Sequence, residues 1–380
     1  MKIGIITWFT GSNYGTNLQA IALQYFLRQK GNEVNIINYE IAPPIVRNGG
    51  RNLIEKIKNQ PGKYARKYAL HKYRSQIAKR NQKMADEIRQ NCILTDRIQD
   101  DKEFIDICNK FDLLICGSDQ IWNPNWYHKF YYADYSDILT SRISYAPSMG
   151  VNNIPEDKLS EIIAGLRKFD YISVREERGA EILAPYLKEK PTVVLDPTFL
   201  LSKEDWSNIF PDKKETGTSD YVLAFFLSEN KQQLQATRDF AKKHNLRCVL
   251  VPYGGLTYLQ NAEIHADVSS GDLLNLIRHA RYVVTDSFHI TVFSLIHGKQ
   301  FYTFQRFKEN AYSSQNVRIT NLLKLVHLGH RMIPYEATYI NDLKEIDYKA
   351  TSQIMEREIS KSKEFLLSSI NQVKTNNKNI

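Results

Sequence analysis

Four short polar segments interrupt apolar runs, and each combines residue types able to hold an anion or a sugar. The first, Thr10 to Asn17, reads TGSNYGTN. It lies between a strand and a helix start, where backbone N–H groups favour an anion or a sugar oxygen. The second, Cys116 to Asn123, reads CGSDQIWN. Gly117 permits close backbone approach, Ser118, Asp119, Gln120 and Asn123 cluster polar groups, and the Trp122 ring offers a face for a sugar. Ser118 or Asp119 is equally suited to cap a helix. The third, SVREERG, places Arg175 directly after a strand and at a helix opening. A cation there crowds the positive helix end unless it serves an anion; pairing with Glu176 or Glu177 is the alternative, and Arg178 fits that better. The fourth, VTDSFH, ends on His289 at another strand-to-helix junction. An imidazole near a helix N-terminus tends to lose its proton, and a bound phosphate or carboxylate reverses that to create a usable acid. The competing reading is a core histidine bonded to Asp286.

Other chemistries are excluded by pattern. The Thr10–Asn17 segment is neither G-x-G-x-x-G nor a Walker loop, and no G-x-S-x-G elbow occurs. His244, His265, His279, His297, His327 and His330 show no metal-like spacing with carboxylates, so no metal is expected. No two of Cys92, Cys108, Cys116 and Cys248 form a close pair. Reduced core thiols fit a cytoplasmic location.

The elements that position these segments follow from periodicity. Lys2–Thr7 is an apolar, β-branched strand. Leu18, Ile21, Ala22, Tyr25 and Phe26 recur at helical spacing until Gly31, and Val34–Tyr39 is the next strand. A strand–helix–strand opening predicts a parallel sheet with helices on its faces. Further strands are expected at 111–116, 142–146, 171–174 and 192–195. The pattern restarts after Pro197 with strands at 221–226, 247–251, 282–285 and 300–304. This predicts a bilobal α/β protein with a cleft between two successive α/β halves: residues 1–200, then 201–330, with a helical tail over 331–380 packing back on the first. Ligands of open parallel sheets bind beyond the carboxyl ends of the strands, where all four segments fall.

The 380 residues carry 51 Lys/Arg and 42 Asp/Glu, for a net charge of +9. Residues 51–90 hold twelve Lys/Arg and three Asp/Glu, so this expected helical insertion (51–91) accounts for the whole excess. A nucleic-acid partner is not expected, because the basic charge is confined and no binding module accompanies it. A local anionic partner fits better, such as a phosphate-bearing substrate or an anionic membrane touched through 51–91 with Tyr64, Tyr68 and Tyr73 interleaved; a solvated helical pair is the bland alternative. The opening MKIGIITWF reads as a strand and not a signal peptide, and no apolar run approaches the length of a membrane span. The expected location is cytoplasmic, at most against the inner membrane face.

From Met1 to about Arg331 the chain resembles the polysaccharide pyruvyl transferase family. The resemblance rests on the order and spacing of NYGTNLQA, GSDQIWN, ISYAPSMG, ISVREERG, VVLDPTFLL, YVVTDSFHITVFSL and FQRFKENAYSSQNVRITNLL. It implies an α/β fold of two Rossmann-like domains facing a cleft, similar to type-B glycosyltransferases. It also implies phosphoenolpyruvate as co-substrate, no cofactor, and a glycan or lipid-linked oligosaccharide as acceptor, with a pyruvate ketal as product. His289 matches the family's donor-associated histidine and Arg175 an arginine resembling a donor-anion ligand. Asp286, Ser287, Asn316 and Arg318 complete the expected donor set. Asn13, Tyr14, Gly15, Asn17, Gly117, Ser118, Gln120, Trp122, Asn123 and Ser148 form the expected substrate set. Asp119 or Asp196 is expected to take the hydroxyl proton. The sequence departs from the family pattern at Ser287, where some members have arginine; Arg318 is a candidate replacement. The rival readings are a nucleotide-sugar glycosyltransferase of the same fold and a non-catalytic glycan-binding subunit.

Overall fold

A computed structural model describes residues 1–39, 60–212, 220–309 and 314–376. The amino-terminal lobe is built on a parallel sheet of β1 (Lys2–Ile6), β2 (Glu33–Ile36), β3 (Leu113–Cys116) and β4 (Arg142–Ser144), in the order β2-β1-β3-β4. All four β3 residues are buried, as expected for a strand covered on both faces. A small parallel pair, β5 (Ser173–Val174) and β6 (Thr192–Val193), joins this sheet through a bridge between Ile143 and Tyr171. The carboxy-terminal lobe holds six parallel strands: β7 (Tyr221–Phe225), β8 (Arg247–Val251), β9 (Glu263–Ile264), β10 (Tyr282–Thr285), β11 (Gln300–Phe304) and β12 (Met332–Ile333). Their order is β12-β11-β10-β7-β8-β9. The protein is thus α/β, with two Rossmann-like lobes. Its second sheet runs slightly past residue 330, because β12 pairs with β11.

Helices cover both sheets. They are α1 (Tyr14–Gln29), α2 (Gln60–Lys72), α3 (Arg74–Asn91), α4 (Asp101–Cys108), α5 (Glu156–Leu166), α6 (Glu177–Leu183), α7 (Lys203–Ile209), α8 (Lys231–Lys243), α9 (Ser270–His279), α10 (Phe288–Ile296), α11 (Val317–Leu325) and α12 (Tyr348–Asn376). Periodicity did not disclose α4 and α5. The eight residues of α4 bury only Phe104 and Cys108, too few to show a helical stripe. α1 bridges the lobes: Tyr14 donates to the Val268 carbonyl at 2.9 Å and meets the Phe225 ring edge-on at 5.5 Å. α12 packs on the first lobe, where Ser362 Oγ accepts from Leu195 N (2.9 Å) and Lys363 lies over the Phe26 ring. Its first residue stays on the second lobe, Tyr348 donating to the Lys299 carbonyl.

The basic insertion has a structural partner. Residues 51–59 lie outside the described residues, but α2 and α3 reach across to the second lobe. Arg66 pairs with Glu229 (2.6 Å), Lys79 with Asp267 (2.6 Å) and Lys83 with Asp272 (3.0 Å). Arg80 is buried and donates to the Tyr258 hydroxyl at 3.1 Å. Glu87 accepts from the backbone N–H groups of Ser270 and Gly271, capping α9. Part of the local positive charge therefore answers acids of this same chain. Among the described residues, no helix is long and apolar enough to cross a membrane.

His297, at the end of α10, is held neutral. Burial, then Arg278, Lys203 and Lys299, pull its imidazole down to about 3. The unfolded chain protonates this histidine below about 6.5, so through the window from 6.5 to 3 the unfolded state binds the extra proton and stability falls as pH falls. A His297→Leu variant should show a shallower loss of stability between pH 6.5 and 5 in urea unfolding, by up to about one proton's linkage. An unchanged slope would refute a neutral buried imidazole.

Candidate active site

The strands of both sheets point their carboxyl ends at a cavity of about 430 Å³ between the lobes. The first lobe contributes Thr7, Trp8, Phe9 and Thr10 after β1, Asn13 and Thr16 at the start of α1, Tyr39, Asp119 and Gln120 after β3, and Trp126 and Tyr131. The second contributes Leu227, Tyr253, Ser287, Phe288, His289, Arg306, Gln315 and Arg318. The volume lies in the range of small-molecule sites.

His289 occupies the first turn of α10. The loop before it is set by hydrogen bonds: Thr285 Oγ1 donates to the Phe225 carbonyl (2.7 Å) and accepts from Ser287 N (3.0 Å). Asp286 turns away from the cavity. Its buried carboxylate accepts from Leu227 N (2.6 Å) and Ser228 N (2.9 Å), which ties the end of β7 to that of β10. The acid facing His289 is Asp196, with Oδ2 3.5 Å from Nε2. On its other side the imidazole lies against Gly15, where a Cβ would sit 2.0 Å from Nδ1. Glycine at 15 is thus a condition for the ring's position.

Asp196 also pairs with Arg175 at 2.9 Å, both side chains almost fully buried. Burial alone raises the Asp196 carboxyl. The Arg175 guanidinium, His289 and the Thr198 N–H together outweigh this and hold it far below the usual carboxylate range. Breaking such a buried pair from one side typically costs about 3–5 kcal/mol. Arg175 further donates to Ser118 Oγ at 2.6 Å, which itself donates to the Ala146 carbonyl. Arg175 does not line the His289 cavity. It lies behind the Phe288 ring (5.1 Å), in a separate chamber of about 170 Å³ that Asp196 and Glu176 also line. Burial raises the Glu176 carboxyl. Arg318 lies near the same ring (5.7 Å) and lines both spaces. Burial, then Arg175, pulls its guanidinium down to about 10, still charged at neutral pH.

Asp119 faces the cavity, with Oδ2 accepting from Thr16 Oγ1 at 2.6 Å and Oδ1 from its neighbour Gln120 N. Asn13 caps α1 by accepting from Gly15 N at 3.1 Å. Several expected contacts lie elsewhere. Trp122 is fully buried, stacked on Tyr132 (5.5 Å) and donating to the Tyr131 carbonyl, so its ring presents no face to a sugar. Tyr14 is consumed by the lobe interface. Gly117, at φ 141°, is required because a Cβ would meet the Tyr145 carbonyl oxygen at 2.0 Å. Asn17 and Asn123 are buried; Asn17 donates to the Gly11 carbonyl and Asn123 accepts from Asn125 N. Ser148 is buried, its N–H bonded to the Asp119 carbonyl. Asn316 braces the chain after β11, accepting from Arg306 N and Phe307 N. The lining residues that sequence reasoning missed are chiefly Trp8, Tyr39, Trp126, Tyr131 and Arg306. Trp8 and Arg306 directly follow β1 and β11 by two residues, and that position was the available signal.

No curated protein matches the chain. Among solved structures it is similar to a UDP-GlcNAc 2-epimerase from Methanocaldococcus jannaschii (12% identity, 94% of this chain and 99% of that one, TM-score 0.49). It is also similar to a UDP-GlcNAc 2-epimerase from Neisseria meningitidis (12%, 94% and 99%, 0.46) and to E. coli heptosyltransferase WaaC with ADP (12%, 94% and 100%, 0.40). A family profile described as polysaccharide pyruvyl transferase matches residues 13–306, a span that contains Asp119, Arg175, Asp196 and His289. With that match covering most of the chain and the groups converging on the cavity, this protein belongs to the polysaccharide pyruvyl transferase family.

Proposed function

We propose that the protein transfers a pyruvyl group from phosphoenolpyruvate to two hydroxyls of one hexose in a glycan or its lipid-linked precursor, forming a pyruvate ketal and releasing phosphate. The observation carrying this reading is the pair of guanidinium groups on one wall: Arg306 and Arg318 reach the cavity from the second lobe, beside the His289 imidazole. A donor trianion requires such a wall, since carboxylate favours an arginine fork and phosphate favours cations with backbone N–H groups. Ser287 lines the cavity where some family members place arginine, and Arg318 supplies a cation there.

In this scheme His289 delivers a proton to the methylene carbon while a hexose hydroxyl attacks the electron-poor C2. Asp119, on the opposite wall, accepts the hydroxyl proton. The C2–O bond to phosphate then breaks, and the second hydroxyl closes the ring. Of the two hydroxyl protons lost, one replaces that delivered to carbon and the other leaves on phosphate. Asp196 takes no part as a base: it is buried, engaged by Arg175 and 3.5 Å from the imidazole, and it orients His289 through charge.

We further propose that the outward face of α2 contacts anionic lipid. Tyr64 and Tyr68 are 70% and 61% exposed, Lys63 and Lys67 beside them are exposed, and α2 contains no acid. Aromatics interleaved with lysines suit a headgroup layer.

His289→Ala should lower phosphate release from phosphoenolpyruvate plus acceptor by about 10²–10⁴-fold; near wild-type release would exclude the role. Stabilisation against heating by UDP- or GDP-sugars but not by phosphoenolpyruvate would instead favour a glycosyltransferase. Gly15→Ala should cut turnover sharply by displacing the imidazole, with Gly15→Ala crystals showing His289 in a new rotamer; full activity would refute the steric argument. In flotation, vesicles containing phosphatidylglycerol should carry the protein at low salt and lose it in a Lys63→Glu, Lys67→Glu variant. Equal binding by that variant, or none by wild type, would end the lipid proposal.

A further inference from the structure

The two walls of the cavity are chemically unlike. Among the described residues, the guanidinium groups that line it, Arg306 and Arg318, come from the second lobe, whereas the first lobe presents Trp8, Trp126 and Tyr131. The indoles are 5.5 Å apart and tilted by 49°, and Tyr131 meets Trp8 edge-on at 6.1 Å. Tyr131 is buried, but Trp8 and Trp126 remain partly exposed. The frame beneath Trp8 is tied down: the fully buried Gln19 amide donates to the Trp8 carbonyl (2.7 Å), Thr7 Oγ1 (3.0 Å) and the Thr16 carbonyl (2.9 Å). The chain at Trp8 is thus tied down, and two large apolar rings stand partly exposed at the cavity, where covering them with a ligand removes apolar area from water.

We propose that this wall is the acceptor subsite, with a pyranose lying by its C–H face on Trp8 and bordered by Trp126 and Tyr131. The C–H groups of a pyranose face are apolar and slightly positive, which complements the negative face of an indole. An acceptor seated there has its hydroxyls on the side of Asp119, which lines the same cavity from the same lobe. It faces the donor across the gap and does not compete with it for cations. The assignment rests on the reading that the acceptor is a sugar. The other ligand able to stack on such a wall is a nucleobase.

Saturation-transfer NMR with a panel of methyl hexopyranosides, and with uridine monophosphate as the rival, tests this without any turnover. Wild-type protein should saturate hexoside ring C–H protons, and the effect should weaken about tenfold in Trp8→Ala and Trp126→Ala. Trp8→Tyr should retain it, and Trp8→Tyr also serves if Trp8→Ala fails to fold. In turnover assays Trp8→Ala should raise the acceptor KM and leave the phosphoenolpyruvate KM unchanged. Hexosides that bind the variants as well as wild type, or bind neither, overturn the proposal, as does saturation of the nucleotide alone. Trp8-dependent hexoside binding in a protein that releases no phosphate from phosphoenolpyruvate would sink the donor reading and leave this one standing.

Discussion

A buried ion pair organises the site. Arg175 and Asp196 come from the ends of the small β5–β6 sheet, and their attraction in a water-poor setting is strong because little solvent screens it. Its desolvation cost is offset by hydrogen bonds that Arg175 donates to Ser118 Oγ and that Asp196 accepts from Thr198. From this pair the order spreads outwards: Asp196 faces His289 of the other lobe, and Phe288 packs near the guanidinium. The contact from Asp196 to His289 therefore connects charge in one lobe to the ring carried by the other.

The lobes are joined in further ways that bear on this contact. Tyr14 crosses to the Val268 carbonyl, α12 spans from Lys299 to Leu195, and α2 with α3 straps the first lobe to acids of the second. Each tie uses a different element, so the spacing between the walls is set from several sides. This gives the basic insertion a role in the architecture itself. It also engages Arg66, Lys79, Arg80 and Lys83 within the chain itself.

In the proposed function the cavity would give each of two recognition problems to one lobe. Anion recognition needs fixed cations, and Arg306 and Arg318 line the cavity from the second lobe. Recognition of a neutral, partly apolar sugar needs flat rings, and Trp8, Trp126 and Tyr131 line it from the first. Glycine at position 15 lets α1 and α10 approach closely enough for His289 to stand at the boundary between the two.

The sequence alone determined the α/β class, the parallel strands and the strand-to-helix junctions that border the cavity, because buried parallel strands are continuous apolar runs that end in polar turns. It marked His289, Asp119 and the turn holding Gly15 by their types and positions after strands, and Arg318 through the family resemblance. It left α4 and α5 unseen, since short amphipathic helices bury too few residues to show a period. Only the tertiary structure decided which way each side chain of a motif faces. Trp122 and Asp286 sit in polar, strand-end motifs yet point into the core or brace a neighbouring loop, while Trp8, Trp126 and Arg306 face the cavity. It also assigned Asp196, 93 residues from His289 in the chain, as that ring's partner, and sent the basic helices across to the acids of the other lobe. Such pairings depend on how distant segments meet in space, and local spacing carries no record of that.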